Sequence, residues 1–520
     1  MRAQGSVLFL CIFLLERSSA EMPIKNNSQR KAQKYSLYKN NDTTDEFIKV
    51  KHRGKIYTPD YLVEIILDRG DYSGANILRK HVIDNSCGDG QFMIHVVDRY
   101  CKEFLKCSND KEKLKKELEE YVHAIDIEKD ELDTCKERCD KVASIHGVEN
   151  VKWDFINGNT IEIDKYDGKM DFVVGNPPYV RIHNLDENAI SVKEHLFCKN
   201  GMTDLYILFY EIGIKMLNKT GVLAYITPSS FFTSLAGLEM RQYLSNNNLL
   251  VSVCDLKHFQ AFNATTYTTI ICLKKNNDEK VVDYSEFDAE SLSPVEISKL
   301  KQDDYLIDDK FYFSDKESLE LLKSIINCKT NHDFSVKNGY ATLADKIFIS
   351  NFDFESKYII PVVKASCAKW TKIFYPYDEN GKLYSEDELF KDGNIKAYLS
   401  ERKEQLIKRA NERDSEKYWY AFGRSQAIND TYKDKLALNA LVKSTKDIKL
   451  VEAKKGTGVY SGLYIVSDTI PIKKIKEAIQ NEDFCKYVSL LGKYKSGGYY
   501  TYSSKDVAAF INYKLSKEEK

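Results

Sequence analysis

"DFVVGNPPYVR", residues 171–181, sets an apolar run directly before Asn-Pro-Pro-Tyr. Two consecutive prolines continue neither a strand nor a helix, because neither offers a backbone N–H and both fix φ. A strand over 172–174 therefore ends here, and a stiff turn carries Asn176 and Tyr179 just beyond its C-terminal end. A structural turn accounts for the prolines. It does not account for an amide and an aromatic ring mounted on them.

Outward from that turn, apolar runs alternate with helical patterns from "GKIYTPDYLVEIILD" (54–68) to "TTIICLKK" (268–275). "HVID" (81–84), "HAIDI" (123–127), "NVKWDF" (150–155), "DFVVGN" (171–176), "GVLAYITP" (221–228), "LVSVCDL" (250–256) and "TTIICLKK" read as strands. "KEKLKKELEEY" (111–121) and "DLYILFYEIGIKML" (204–217) are among the helices between them. Such alternation predicts a doubly wound, mostly parallel α/β sheet over 48–290. Ligands of these sheets bind at the carboxyl ends of the strands. Residues 276–330 are charged and irregular, so 291–330 reads as a linker with a helix. From 331 to 520, short strands, loops and many aromatics predict a second, α+β domain.

At 520 residues, 43% hydrophobic and 30% charged, the chain is long enough for two or three packed domains and is not a disordered or fibrous composition. The net charge of −1 is unevenly spread: residues 331–520 hold 33 Lys+Arg against 26 Asp+Glu, net +7, and the rest nets −8. A basic C-terminal part fits contact with a polyanion, and equally fits a solvated lysine-rich surface. The 12 cysteines form no disulfide framework in a chain of this length, so "CKERC" (135–139) reads as reduced thiols. "MRAQGSVLFLCIFLLERSSAEM" (1–22) has the layout of a secretory signal, with an apolar run too short to span a bilayer. It is read as an upstream extension of a start at Met22, followed by a polar arm to residue 47, because the chemistry below needs an intracellular cofactor; the expected location is cytoplasmic, away from membranes.

Four successive strand ends carry compatible groups. In "VIDNSCGDGQF" (82–92), Gly88 and Gly90 allow a tight turn and close approach to a ligand before a helix. The final glycine of the dinucleotide fingerprint is missing, so phosphate binding is not indicated. Asp126 ends the second strand, where a carboxylate can accept from a ribose diol. Asp154-Phe155 ends the third, offering an acceptor and a ring to an adenine. Asn176-Pro177-Pro178-Tyr179 ends the fourth. Coincidence explains one of these better than it explains the set.

Over roughly residues 48–515 the chain resembles the adenine-N6 DNA methyltransferases of the Taq type, whose cofactor motifs precede the catalytic motif and whose recognition domain is C-terminal. "KIYTP" and "DNSCGDGQF" resemble that family's cofactor motifs, "GNPPY" its catalytic motif and "FQAFNATTYTTIICLKK" its late strand motif. "GYATLADKIFI", "KIFYPYD", "WYAFGRSQ" and "SGGYYTYSS" resemble its specificity domains more loosely. The resemblance implies a Rossmann-like methyltransferase sheet that binds S-adenosylmethionine through Tyr57, Thr58, Asp84, Ser86, Gly88, Gly90, Asp126, Asp154, Phe155 and Asn176. It implies catalysis by Asn176, Pro177 and Tyr179, stacking of the target base on Tyr179 and Phe262, and no metal. Asn85 departs from the pattern, since many relatives have Pro there.

Adenine in a duplex hides N6, so the base must be flipped into a pocket. The Asn176 oxygen and the Pro177 carbonyl could accept both N6 hydrogens, aiming the lone pair at the sulfonium methyl; positioning then supplies much of the catalysis. The implied partner is double-stranded DNA, with a separate cognate restriction endonuclease left open. Asn-Pro-Pro-Tyr also serves enzymes that methylate RNA or a protein glutamine amide. A bifunctional restriction endonuclease–methyltransferase is a further alternative, through Asp447, Glu452 and Lys454 in "DIKLVEAKKG". Those alternatives are disfavoured by some 190 further residues rich in Tyr, Trp and Lys, and by the short spacing of the nuclease-like triplet. Of the aromatics in the second domain, Trp370 and Tyr499 are candidates to read bases with Arg424, and Trp419 is assigned to the core.

Overall fold

The computed structural model of the chain describes residues 57–182, 192, 194–262, 266–409 and 418–519. The signal-like run and polar arm of residues 1–47 lie outside the described residues. The chain divides into two compact units between Asp315 and Lys316.

The first unit is built on a nine-stranded sheet: β1 (Val82–Asp84), β2 (Val122–Asp126), β3 (Asp154–Asn157), β4 (Met170–Gly175), β5 (Leu217–Pro228), β6 (Leu250–Asp255), β7 (Thr268–Lys274), β8 (Val281–Asp288) and β9 (Ser293–Lys301). Their spatial order is β3-β2-β1-β4-β5-β7-β6-β8-β9. β1 through β5 pair in parallel, and β7 runs antiparallel to both β5 and β6. The central strands are buried along nearly their whole length, as strands covered on both faces are. Helices α1 (Asp60–Arg69), α2 (Gln91–Cys107), α3 (Lys111–Tyr121), α4 (Lys129–Ile145), α5 (Leu205–Met216) and α6 (Leu238–Asn246) supply the layers. In α1 the buried face is Leu62, Val63, Ile66 and Leu67, a helical spacing. No described helix is long and apolar enough to cross a membrane.

From β1 the chain winds first to β2 and β3 on one side, then to β4 and β5 on the other. The strand order reverses between β1 and β4, which opens a crevice at their carboxyl ends. The doubly wound α/β expectation holds.

Part of the stretch read as a linker differs. β8 and β9 extend the sheet, with Val282, Tyr284, Phe287 and Leu300 buried. A register shift between Tyr284 and Ser285 breaks the period-two alternation, and intervening acids mask the rest. Residues 293–301 are therefore strand, not linker.

The second unit is α+β. One four-stranded antiparallel sheet orders 335–338, 463–466, 435–438 and 450–453; a mixed four-stranded sheet orders 349–350, 369–374, 359–364 and 458–460, the last pair parallel. A three-stranded sheet (441–442, 499–501, 494–495) and helices including 316–326, 393–400, 472–479, 482–490 and 504–518 accompany them. Its core centres on aromatics such as Phe348, Phe374, Tyr375 and Phe422. Trp419 is core, 1% exposed, donating through Nε1 to Glu386 Oε2 at 3.2 Å.

Gly90, at φ 88°, starts α2 where α4 crosses it. A Cβ there would lie 2.6 Å from Cys135 Sγ and 3.0 Å from Cys135 Cα. Gly90→Ala should therefore destabilise the protein by roughly 2–4 kcal/mol, combining left-handed backbone strain with overpacking. Denaturant unfolding of the purified variant measures this, and a loss below 1 kcal/mol would show that α4 yields easily.

Candidate active site

A cleft opens at the carboxyl ends of β1, β2 and β4. It gathers Tyr57, Thr58, Asp84, Ser86, Gly88, Asp126, Asn176 and Pro177, eight of the residues singled out in the sequence. Gly90 stands just behind it as the residue that lets α2 start.

Asp84 ends β1 and is 1% exposed. Its Oδ1 accepts from Ser86 N at 3.0 Å, and no cation pairs with it among the described residues. A Cβ on Gly175 (φ 149°) would come 2.7 Å from the same oxygen, so β4 can pass Asp84 only as glycine. Burial pushes the Asp84 carboxyl from 3.8 up to about 8; the Ser86 N–H works against it, and the nearby Asp126 carboxylate adds a lesser push upward. Ser86 Oγ is buried without a hydrogen-bond partner among the described residues.

Asp126 shapes the glycine turn: its Oδ2 accepts from Gly88 N at 2.8 Å and its Oδ1 from Glu128 N at 2.8 Å. Cys87 N donates to Ile125 O at 3.0 Å and ties the turn to β2. Asn85 lines the cleft too, and its side chain is tied into the core. Its Oδ1 accepts from Tyr225 OH at 2.8 Å and its carbonyl from Thr160 Oγ1 at 2.6 Å, so an amide is satisfied in the core where many relatives have a proline.

Asp154 and Phe155 do not line the cleft. They begin β3 rather than end it. The Asp154 carboxylate faces His123 Nδ1 at 2.9 Å, Lys165 Nζ at 2.5 Å and Tyr166 OH at 3.2 Å, while Phe155 is 8% exposed and stacks on Trp153. The cleft takes Asn159, Thr160 and Ile161 from beyond the end of β3, and Ile127, 67% exposed, from beyond β2. Sequence reasoning missed these four residues. The signal was the "NGNT" turn (157–160): β3 pairs Asp126 with Asn157, so its carboxyl end lies three residues past Asp154.

Asn176 donates from Nδ2 to Thr58 Oγ1 at 3.1 Å. Tyr179 is half-buried behind this turn, its hydroxyl donating to Ile226 O at 3.0 Å, and burial pushes its phenol well above the ordinary range. Its ring meets Phe262 edge to face, with centroids 6.3 Å apart and planes at 68°. A base held between two rings needs them parallel and roughly 7 Å apart, twice a carbon contact distance. As they stand, the two rings leave no slot for a base.

In the second unit the nuclease-like triplet points three ways. Asp447 accepts from Ser444 and Lys443 backbone N–H groups, Glu452 lies 3.9 Å from Lys476 Nζ, and Lys454 lies 3.4 Å from Asp434. Trp370 and Tyr499 are exposed, as is Arg424.

Residues 92–262 match the family described as Eco57I restriction-modification methylase. The chain is 25% identical over 408 residues to the type II methyltransferase M.BstVI of Geobacillus stearothermophilus, covering 69% of this chain and 72% of that protein. It is 27% identical over 290 residues to M.AccI of Acinetobacter calcoaceticus, covering 50% and 53%. With the restriction enzyme and methyltransferase RM.Eco57I of Escherichia coli it shares 30% identity over 219 residues, 38% of this chain and 21% of that one. The chain thus spans about half of M.AccI and a fifth of RM.Eco57I. In structure it is similar to the type IIL restriction-modification enzyme MmeI, solved in complex with DNA, with a TM-score of 0.57 and 15% identity over 88% of this chain and 64% of that one, a likeness of fold. Residues 92–262 are thus similar to a restriction-modification methylase domain, and the relatives matched along more of the chain are type II methyltransferases.

Proposed function

We propose that this chain transfers a methyl group to N6 of an adenine flipped out of a specific site in double-stranded DNA. The observation that carries the reading is that Asn176 and Pro177 share one cleft with Asp84 and Asp126, so the acceptor motif and the cofactor motifs face the same space.

The residues fit the cofactor. A buried carboxyl with no cation beside it suits the ammonium of S-adenosylmethionine, and the unsatisfied Ser86 Oγ suits a polar group of its methionine part. Asp126 keeps acceptor capacity for ribose hydroxyls. Ile127, with Asn159 and Thr160, replaces Asp154-Phe155 as the proposed contact for the adenine moiety. When bound, the cofactor supplies an electrophilic methyl on a sulfonium.

The Asn176 oxygen and the Pro177 carbonyl accept the two N6 hydrogens. That holds the amine in place and raises the electron density of its lone pair. Tyr179 offers a face for the base once Phe262 moves aside, a contact worth roughly 1–3 kcal/mol. The second unit, with its net charge of +7 over 331–520, supplies phosphate contacts and sequence reading. The separated partners of Asp447, Glu452 and Lys454 favour modification without cleavage by that triplet.

Asn176→Ala should slow methyl transfer to unmethylated DNA by two to three decades, the roughly 3–4 kcal/mol of a lost transition-state hydrogen bond. Mass spectrometry of digested product identifies the base. N4-methylcytosine, or wild-type turnover in the mutant, would overturn the reading.

Asp84→Asn should weaken S-adenosylmethionine binding about tenfold or more by calorimetry, since a charged hydrogen bond is worth roughly 1.5–3 kcal/mol. It should also stabilise the cofactor-free protein. The folded chain holds the Asp84 proton up to about pH 8 while the unfolded chain releases it near 3.8, so stability falls with pH across that window. The melting temperature of the variant relative to wild type should rise from pH 5 to pH 8. A flat difference would mean that Asp84 is ionised and balanced in the free protein.

A further inference from the structure

In the second unit, Ile359–Lys364 and Lys369–Phe374 pair as an antiparallel hairpin that carries charge of one sign. No Asp or Glu occurs from residue 356 to 377, while Lys364, Lys369 and Lys372 all stand exposed on the hairpin. None of the three forms an ion pair among the described residues. Lys391 and Lys454, also exposed, sit by contrast beside Glu388 and Asp434.

The register sharpens this arrangement. Lys364 stands directly across from Lys369, and like charges directly opposite one another destabilise a strand pair. On the other face Trp370, 49% exposed, stands across from the fully buried Val363. Residues two apart on a strand share a face, so Lys372 lies on the Trp370 side. The turn between the strands is fixed by hydrogen bonds. Ala365 N donates to Tyr460 O at 2.9 Å, Ser366 N to Ser461 O at 3.0 Å and Cys367 N to Lys364 O at 3.2 Å. Ser461 Oγ donates to Ser366 Oγ at 3.1 Å, and Lys449 Nζ reaches Ser366 O at 3.2 Å, which brings a fourth ammonium to the turn. The backbone thus holds opposed cations in place, and an anion between them relieves their repulsion.

We propose that this hairpin is a contact surface for duplex DNA: Lys364, Lys369 and Lys372 take backbone phosphates, and Trp370 packs its ring against the sugar–base edge beside them. The charge selects the occupant, because ammonium groups with no counter-ion of their own favour a polyanion, and the open indole adds a flat apolar face. The proposal rests on the reading of this chain as a DNA methyltransferase, and it names where the second unit grips the substrate.

The test uses the full chain with Lys364→Gln, Lys369→Gln and Lys372→Gln combined, and with Trp370→Phe and Trp370→Ala singly. Binding to a fluorescein-labelled random-sequence duplex is followed by anisotropy over a range of salt concentrations. Each phosphate contact contributes about 0.9 to the slope of log affinity against log salt, so the triple variant should lose about two to three units of slope. At low salt it should bind about tenfold more weakly or worse. Its melting temperature should not fall, since the substitutions relieve opposed charges. Lys102→Gln, Lys106→Gln and Lys129→Gln combined remove the same charge from ion-paired lysines of the first unit, and should change the slope by less than about one unit. Saturating duplex should quench tryptophan emission in the wild type and not in Trp370→Phe, since Trp153 and Trp419 lie off the hairpin. Trp370→Ala should weaken binding about fivefold, the low end for a ring against a base. An unchanged slope and affinity in the triple variant, or equal quenching in Trp370→Phe, overturns the surface. So does a weaker affinity that comes with an unchanged slope and a lowered melting temperature. A wild-type chain that neither binds nor methylates DNA sinks the proposed function along with this surface. Methylation by the wild type beside an unaffected triple variant sinks the surface alone.

Discussion

Asp84 is buried at the junction of β1 and β4, under the electrostatic influence of Asp126 and with no cation beside it among the described residues. Much of the neighbouring backbone is arranged around that carboxyl. Gly175 must be glycine to let β4 pass it, Ser86 N turns back to satisfy one oxygen, and the Gly88 N–H is handed to Asp126 instead. Burying an acid in this way costs free energy that only a ligand recovers, as expected where local order is kept for function rather than stability. The strand reversal supplies the crevice, and the acid gives it a preference for positive charge.

The sheet was legible because its signals are local. The runs at 82–84, 122–126, 170–175 and 268–274 are apolar, short and bounded by turns, and each forms the expected strand. Asn176 and Pro177 were legible for a similar reason, since two prolines fix where β4 stops. The misplacement at Asp154-Phe155 came from register. The turn at 157–160 marks where β3 stops, but "KWDFINGN" does not say which residue pairs with Asp126, and that pairing decides what reaches the cleft. His123 and Lys165, which occupy Asp154, are distant in sequence, so the competition for its carboxylate is invisible along the chain.

Three other features depended on contacts between distant residues. β8 and β9 hid behind acids and a bulge, and only pairing with β6 makes them part of the sheet. Asn85 looked like a departure that could disturb the glycine turn. Tyr225, 140 residues away, absorbs it by donating to the amide oxygen. The edge-to-face contact of Tyr179 and Phe262 could not be read either, because two aromatic positions identify the rings without their mutual angle.

The cleft itself is acidic: Asp89, Asp126, Glu128 and Glu131 line it beside the protonated Asp84, and Arg138 answers Asp89 at 2.5 Å. That suits a cofactor with a net positive charge and suits a phosphate backbone poorly, since like charges in a low-dielectric groove repel steeply. A nucleic-acid substrate as proposed would have to be held by charge from outside this cleft, while only a neutral base enters it. The uneven charge of the chain meets that requirement, with net −8 up to residue 330 and net +7 beyond it. On this reading the acidic cleft and the basic second unit answer one constraint. A cationic methyl donor and a polyanionic substrate must be bound by the same chain, and separating the two charges in sequence lets each be bound without repelling the other.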